Sequence, residues 1–132
     1  MSISSFNNRI HLVILSTDIP KNKKYVLSLD DKQLVLPNFY LDENTYKDIK
    51  KGIHDYLTDK IVVNPLELMP SLLSINPSSL PPELNIPDTV NIIYGSVIVF
   101  NQNINNLYWQ EFDFLLPHPY SNLLFEVVHN LS

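Results

Sequence analysis

Carboxylates and histidines are the side chains of this sequence best suited to chemistry, and their spacing decides what they can do. Asp48, Asp55 and Asp59 lie close together in one stretch, with His54 beside the middle one. A Mg²⁺ ion demands oxygen ligands in near-octahedral geometry, so a helix that holds one needs several carboxylates on one face. At about 3.6 residues per turn, Asp48 and Asp59 fall a turn or more away from Asp55. None of the three has a carboxylate neighbour close enough to share an ion, and a lone aspartate makes no cage. A solvated surface carboxylate is the expectation, with no metal and no other cofactor. The histidines, His11, His54, His118 and His129, are scattered singly, with no H-x-x-x-H or H-E-x-x-H pair. Glu111 and Asp113 are two apart and share one face of a strand, where paired carboxylates could move protons; a solvated sheet edge is the plainer reading. No G-x-S-x-G frames a serine nucleophile. The chain has no cysteine, which excludes thiolate chemistry and disulfides. With two glycines against ten prolines it has no glycine-rich phosphate loop.

The elements that would position these residues read clearly. RIHLVILS (residues 9–16) is a buried strand, KYVLSLD (24–30) an alternating one, and QLVLP (33–37) a third after the turn Asp30-Asp31-Lys32. Together they predict an antiparallel meander. Residues 46–57 predict a helix. Asn44 or Thr45 would cap it; Ile49, Ile53 and Leu57 recur at four-residue spacing with Tyr46 and Tyr56 beside them, while Lys47, Lys50, Lys51 and Asp55 face away. Gly52 marks a close packing contact in that helix. IVV (61–63) starts a short strand, LELMPSLLSI holds another, and TVNIIYGSVIVF (89–100) is the strongest strand of all. LYWQEFDFL (107–115) alternates, with Trp109, Phe112 and Phe114 as core rather than as stacking surface for a base. SNLLFEVVHNL (121–131) closes as a helix, with Ser121 as cap and Leu124, Val127, Val128 and Leu131 as its stripe. The order β-β-β-α-β-loop-β-β-α over 132 residues predicts one α+β domain, residues 1–132.

The stretch LVLPNFYLDENTYKDIKKGIHDYLTDKIVV resembles the signature region of the Nudix hydrolases, where a strand ending in Leu-Pro-Gly-Gly leads into a helix carrying G-x5-E-x7-R-E-U-x-E-E-x-G-U. The closing YWQEFDFLLPHPYSNLLFEVV is similar to that family's aromatic strand, proline corner and last helix. The resemblance implies a Nudix-like α/β/α sandwich with a mixed sheet and two main helices. It also implies metal-dependent hydrolysis of diphosphate linkages, for which this sequence lacks the residues. Leu36-Pro37 fits, but Asn38 and Phe39 replace the glycines. Aligned by its apolar stripe, with a loop one residue shorter, the helix puts Lys51 for the arginine and Gly52 for the glutamate. Ile53 takes the aliphatic position, and Asp55 and Tyr56 take the places of the Glu-Glu pair, so that Asp55 is the one metal candidate the resemblance implies.

Composition bounds the partners. The net charge is −5, against a dedicated nucleic-acid binder, and Lys21, Lys23 and Lys24 read as a solvated hairpin turn. No apolar run reaches about 18 residues, so no membrane span is expected, and the N-terminus lacks the pattern of a signal peptide. The abundance of Asn, Ile, Lys and Tyr points to an AT-rich genome. From 77 to 87 runs a proline-rich loop with apolar Leu80, Leu84 and Ile86, and a loop this long in a small domain is usually functional. The expectation is a catalytically inactive Nudix-like subunit of a larger, viral assembly, located in the cell or the virion, that binds protein partners through Leu80, Leu84 and Ile86. The alternative is a divergent hydrolase of nucleoside-diphosphate derivatives or RNA caps; a third reading is an inactive nucleotide sensor.

Overall fold

The computed structural model describes residues 7–42, 46–58, 70–84, 88–100, 107–113 and 118–131. The predicted strand at 61–63, the helix cap at Asn44 or Thr45, and the residues Asp59, Ile86 and Phe114 lie outside them.

Six strands form one mixed sheet: β1 (Asn7–Asp18), β2 (Lys23–Ser28), β3 (Asn38–Tyr40), β4 (Ser71–Leu73), β5 (Thr89–Val97) and β6 (Tyr108–Glu111). They follow the order β4-β5-β1-β2-β6, and β3 also pairs with β1. The centre is the parallel pair β1–β5, in register from Asn7↔Thr89 to Leu15↔Val97. Parallel pairs are normally covered on both faces, and each of these strands carries an apolar run, Leu12 to Leu15 in β1 and Ile92 to Tyr94 in β5. Helix α1 (Ile49–Thr58) covers one face and helix α2 (Ser121–Leu131) the other. This is the expected α+β sandwich with a mixed sheet between two helices.

Strand alternation divides β1 between the two layers. Ile10, Leu12 and Ile14 meet Ile53 and Leu57 of α1, while Val13 and Leu15 belong with Leu123, Leu124 and Val127 of α2. The α1 stripe falls as its spacing predicts, with Ile53 fully buried, Leu57 and Gly52 buried and Ile49 half-buried. Tyr46 departs from it and is exposed. A close glycine contact is found in β5, where a Cβ on Gly95 would lie 2.7 Å from Leu73 Cδ1 and 3.3 Å from Leu131 Cδ1. The α2 stripe is broader than predicted, because Leu123 is also fully buried.

The meander is altered at its third strand. Residues 33–37 are irregular, and the paired segment is β3, at 38–40. Ser28 explains the displacement. Its hydroxyl accepts from Val35 N–H (3.0 Å) and lies 2.7 Å from Asp30 O, while Asp30 Oδ1 accepts from Lys32 N–H at 2.7 Å. These bonds tie 28–35 into a broad turn. Leu29 N–H still reaches Val35 O and Leu12 N–H reaches Pro37 O, so the chain returns to the edge of β1 only at Pro37. β2 and β3 therefore occupy the same edge of β1 in succession: β2 along 15–18, β3 along 9–11. Among the described residues no helix is long and apolar enough to cross a membrane.

Candidate functional site

Helix α1 stands where the resemblance puts catalytic chemistry, and its side chains are occupied otherwise. Asp48 precedes the helix and caps it: its Oδ1 accepts from Lys51 N–H at 3.1 Å, and its carbonyl from Gly52 N–H at 3.0 Å. Asp55 is exposed. Tyr56, in the second Glu position, leans back on Phe39 of β3, ring centroids 5.1 Å apart. Burial pushes its phenol up from the ordinary range, with a backbone hydrogen bond at Asn38 opposing. Among the described residues no group of three or more His, Asp or Glu side chains is placed to hold a metal ion.

The other predicted residues are dispersed. Glu111 ends β6 and pairs with Lys23 at 3.6 Å on the exposed sheet edge, and Asp113 lies beyond the strand. Trp109 packs into the α1 layer against Phe100 (centroids 5.7 Å), which also meets Tyr25 (5.0 Å); Phe112 packs into the α2 layer. In the proline-rich segment, two 3-10 turns, Pro77–Ser79 and Pro82–Leu84, lie against the domain. Asn76 N–H donates to Glu126 Oε1 of α2 at 3.3 Å. Leu84 is only 7% exposed and belongs to the α2 core, so this side chain covers the domain's own interior. Leu80 is half-buried and lines a groove of about 290 Å³ with Leu72, Ile75 and Ile92. Leu72 is 64% exposed there.

The polar constellation that sequence reading missed lies on the α2 face. Arg9 and His11 are two apart on β1, so their side chains share that face. The sheet register brings Tyr40 and Asn91 to either side of Arg9, and Asn38 next to His11. The Arg9 guanidinium lies 4.3 Å from the Tyr40 ring centroid. Its Nε is buried with no acceptor among the described residues. His11 is buried, with Nε2 2.8 Å from Asn91 Oδ1. Asn91 Nδ2 donates in turn to Leu84 O. That bond fixes the amide so that its oxygen faces the imidazole, which makes Nε2–H the donor and leaves Nδ1 of the neutral ring an acceptor. Burial pulls the His11 pKa below its ordinary value; the bond to Asn91 opposes this and Arg9 adds to it. Glu83 and Tyr120 complete a cleft of about 270 Å³ over Arg9 and His11. Burial, then the Glu83 charge, raise the Tyr120 phenol. The available signal was the pair R-x-H at the head of an otherwise apolar strand.

No protein-family model and no curated protein matches the chain. Solved structures do. It is similar to a MutT/nudix family protein from Enterococcus faecalis at TM-score 0.59 and 10% identity, over 96% of this chain. This chain spans 62% of the length of that one. It is also similar to the NUDIX domain of Shewanella oneidensis NrtR, solved in complex with ADP ribose, at TM-score 0.59 and 14% identity over 96% of this chain and 89% of that one. Identities this low show the fold alone. The fold is Nudix-like.

Proposed function

From the premise of a Nudix-like fold, we propose that this domain is a non-catalytic subunit that binds a protein partner within a larger assembly, a viral one on the compositional argument. The observation that carries the reading is the identity of the residues on α1. In the place of a glutamate-rich catalytic helix stand Lys50, Lys51, Gly52, His54, Asp55 and Tyr56. The preceding carboxylate of this stretch, Asp48, is engaged as the helix cap. One exposed aspartate with water cannot hold Mg²⁺ tightly against a diphosphate. The partner surface is the groove at the β4 edge, where exposed Leu72 and half-buried Leu80 present apolar surface beside the proline-rich segment. Prolines restrict the unbound chain and so lower the ordering cost of binding. Ile86, outside the described residues, is proposed as a further partner contact on its sequence alone.

The test is a hydrolysis panel of nucleoside-diphosphate derivatives and capped RNA with Mg²⁺ or Mn²⁺. No turnover above buffer is expected. Turnover that Asp55→Asn abolishes would instead establish a divergent hydrolase.

A further inference from the structure

The cleft over Arg9 and His11 holds two opposite charges that do not meet. Arg9 and Glu83 both line it, yet the two form no ion pair with each other. Unpaired charges facing one cavity are costly unless water or a ligand satisfies them. Arg9 is fixed by three features: its place on the central strand, the Tyr40 ring against its face, and a buried Nε–H without an acceptor. Stacking uses the face of a guanidinium and leaves its edge; with the Nε closed off by burial, the Nη–H groups are the donors left for a carboxylate. Glu83 sits on the Pro82–Leu84 turn at the other side and calls for a cationic donor. His11 is held by Asn91 with its acceptor nitrogen uncommitted, so it too calls for a donor.

We propose that this cleft binds a small zwitterion of the free α-amino acid class, with its carboxylate on the Arg9 edge and its ammonium toward Glu83. The cleft adjoins the protein-binding groove, which Asn91 also lines, and the proposal stands whether or not that groove is used.

Charge balance selects this class over phosphates. The lining residues carry one positive and one negative group. A dianionic phosphate would bring two charges to a single arginine and face Glu83 besides. Size agrees: about 270 Å³ lies at or below the lower end of ordinary ligand pockets, which is about 300 Å³.

The experiment is amide-resolved NMR titration of the whole chain with L-alanine, L-leucine, sodium acetate, methylammonium, inorganic phosphate and ADP-ribose. At least one amino acid should give saturable shifts at Arg9, His11, Glu83, Asn91 and Tyr120. Acetate and methylammonium alone should bind about tenfold or more weakly, since each forfeits one charge-assisted contact. Arg9→Lys preserves the charge and loses the fork, and Glu83→Gln preserves size on an exposed turn. Each should weaken amino-acid binding about tenfold with an unchanged spectral fingerprint. Should neither amino acid shift these residues at millimolar concentration, the proposal fails. It fails equally if phosphate or ADP-ribose binds there more tightly than the amino acids do, or if Glu83→Gln leaves amino-acid affinity intact.

Discussion

His11 ties stability to acidity. Its pKa is lowered in the fold, mainly by burial, so the unfolded chain binds its proton more readily. The stability this confers is fully present above the ordinary value of 6.5 and is lost as pH falls through the depressed native value. The melting temperature should therefore drop on acidification from about pH 7.5 to 5.5, and His11→Gln should flatten that slope relative to the native chain. An equal slope in the variant would assign the effect to another group. Leu80 and Leu84 make a second pair of contrasting residues. Leu84 is in the α2 core, so Leu84→Asp buries an unpaired charge and should cost about 3 kcal/mol or more in denaturant unfolding. Leu80→Asp, at the half-buried groove, should leave the fold standing and weaken assembly. Co-purification of the two variants with the native partners separates these outcomes. The sequence marked both leucines as apolar residues in a loop needing cover; which of them the domain itself covers depends on a turn geometry that composition does not carry.

The elements were legible where periodicity was strong. The i, i+4 stripe of α1 and the length of α2 follow from their apolar spacing alone. Ile53 is fully exchanged from water into the α1 layer, so Ile53→Ala should cost about 2–5 kcal/mol. Tyr46→Ala, at an exposed position, should fall within about 0.5 kcal/mol. Urea unfolding of both reads the helix phase directly, and equal effects would mean the phase is misassigned. The third strand was displaced because Gln33 and Val35 of its β-forming run are held by the Ser28 hydroxyl, five and seven positions earlier, rather than by a neighbouring strand. Strand propensity describes a residue that fits a pleated surface, and cannot anticipate a side chain that substitutes for the ladder. Asp48 caps the segment Ile49–Thr58.

For the whole molecule, the order of strands and helices predicted an α+β domain, and the resemblance to the Nudix hydrolases implied the sandwich of a mixed sheet and two helices. The candidate cleft was not predicted, because its parts are distant in sequence. Arg9 and His11 come from the first strand, Glu83 from the proline-rich segment, Asn91 from β5 and Tyr120 from the start of α2; His11 and Asn91 alone are 80 positions apart. Only the parallel register between β1 and β5 makes them neighbours.

That register also sets the order in which the chain can assemble. The β1–β2 hairpin closes across a short turn, Leu15↔Val26 to Asp18↔Lys23, and can form early because little loop entropy opposes it. The β1–β5 ladder cannot: its partners are separated by both the α1 layer and the proline-rich segment, and non-local parallel pairing is intrinsically slow. Until β5 arrives, β1 presents an aliphatic edge with unpaired amides, the kind of surface that recruits other chains. Emerging from the ribosome in sequence order, this protein spends the synthesis of residues 19–88 with its central strand half-paired, and a folding helper or the partner itself would find its most receptive target in that interval.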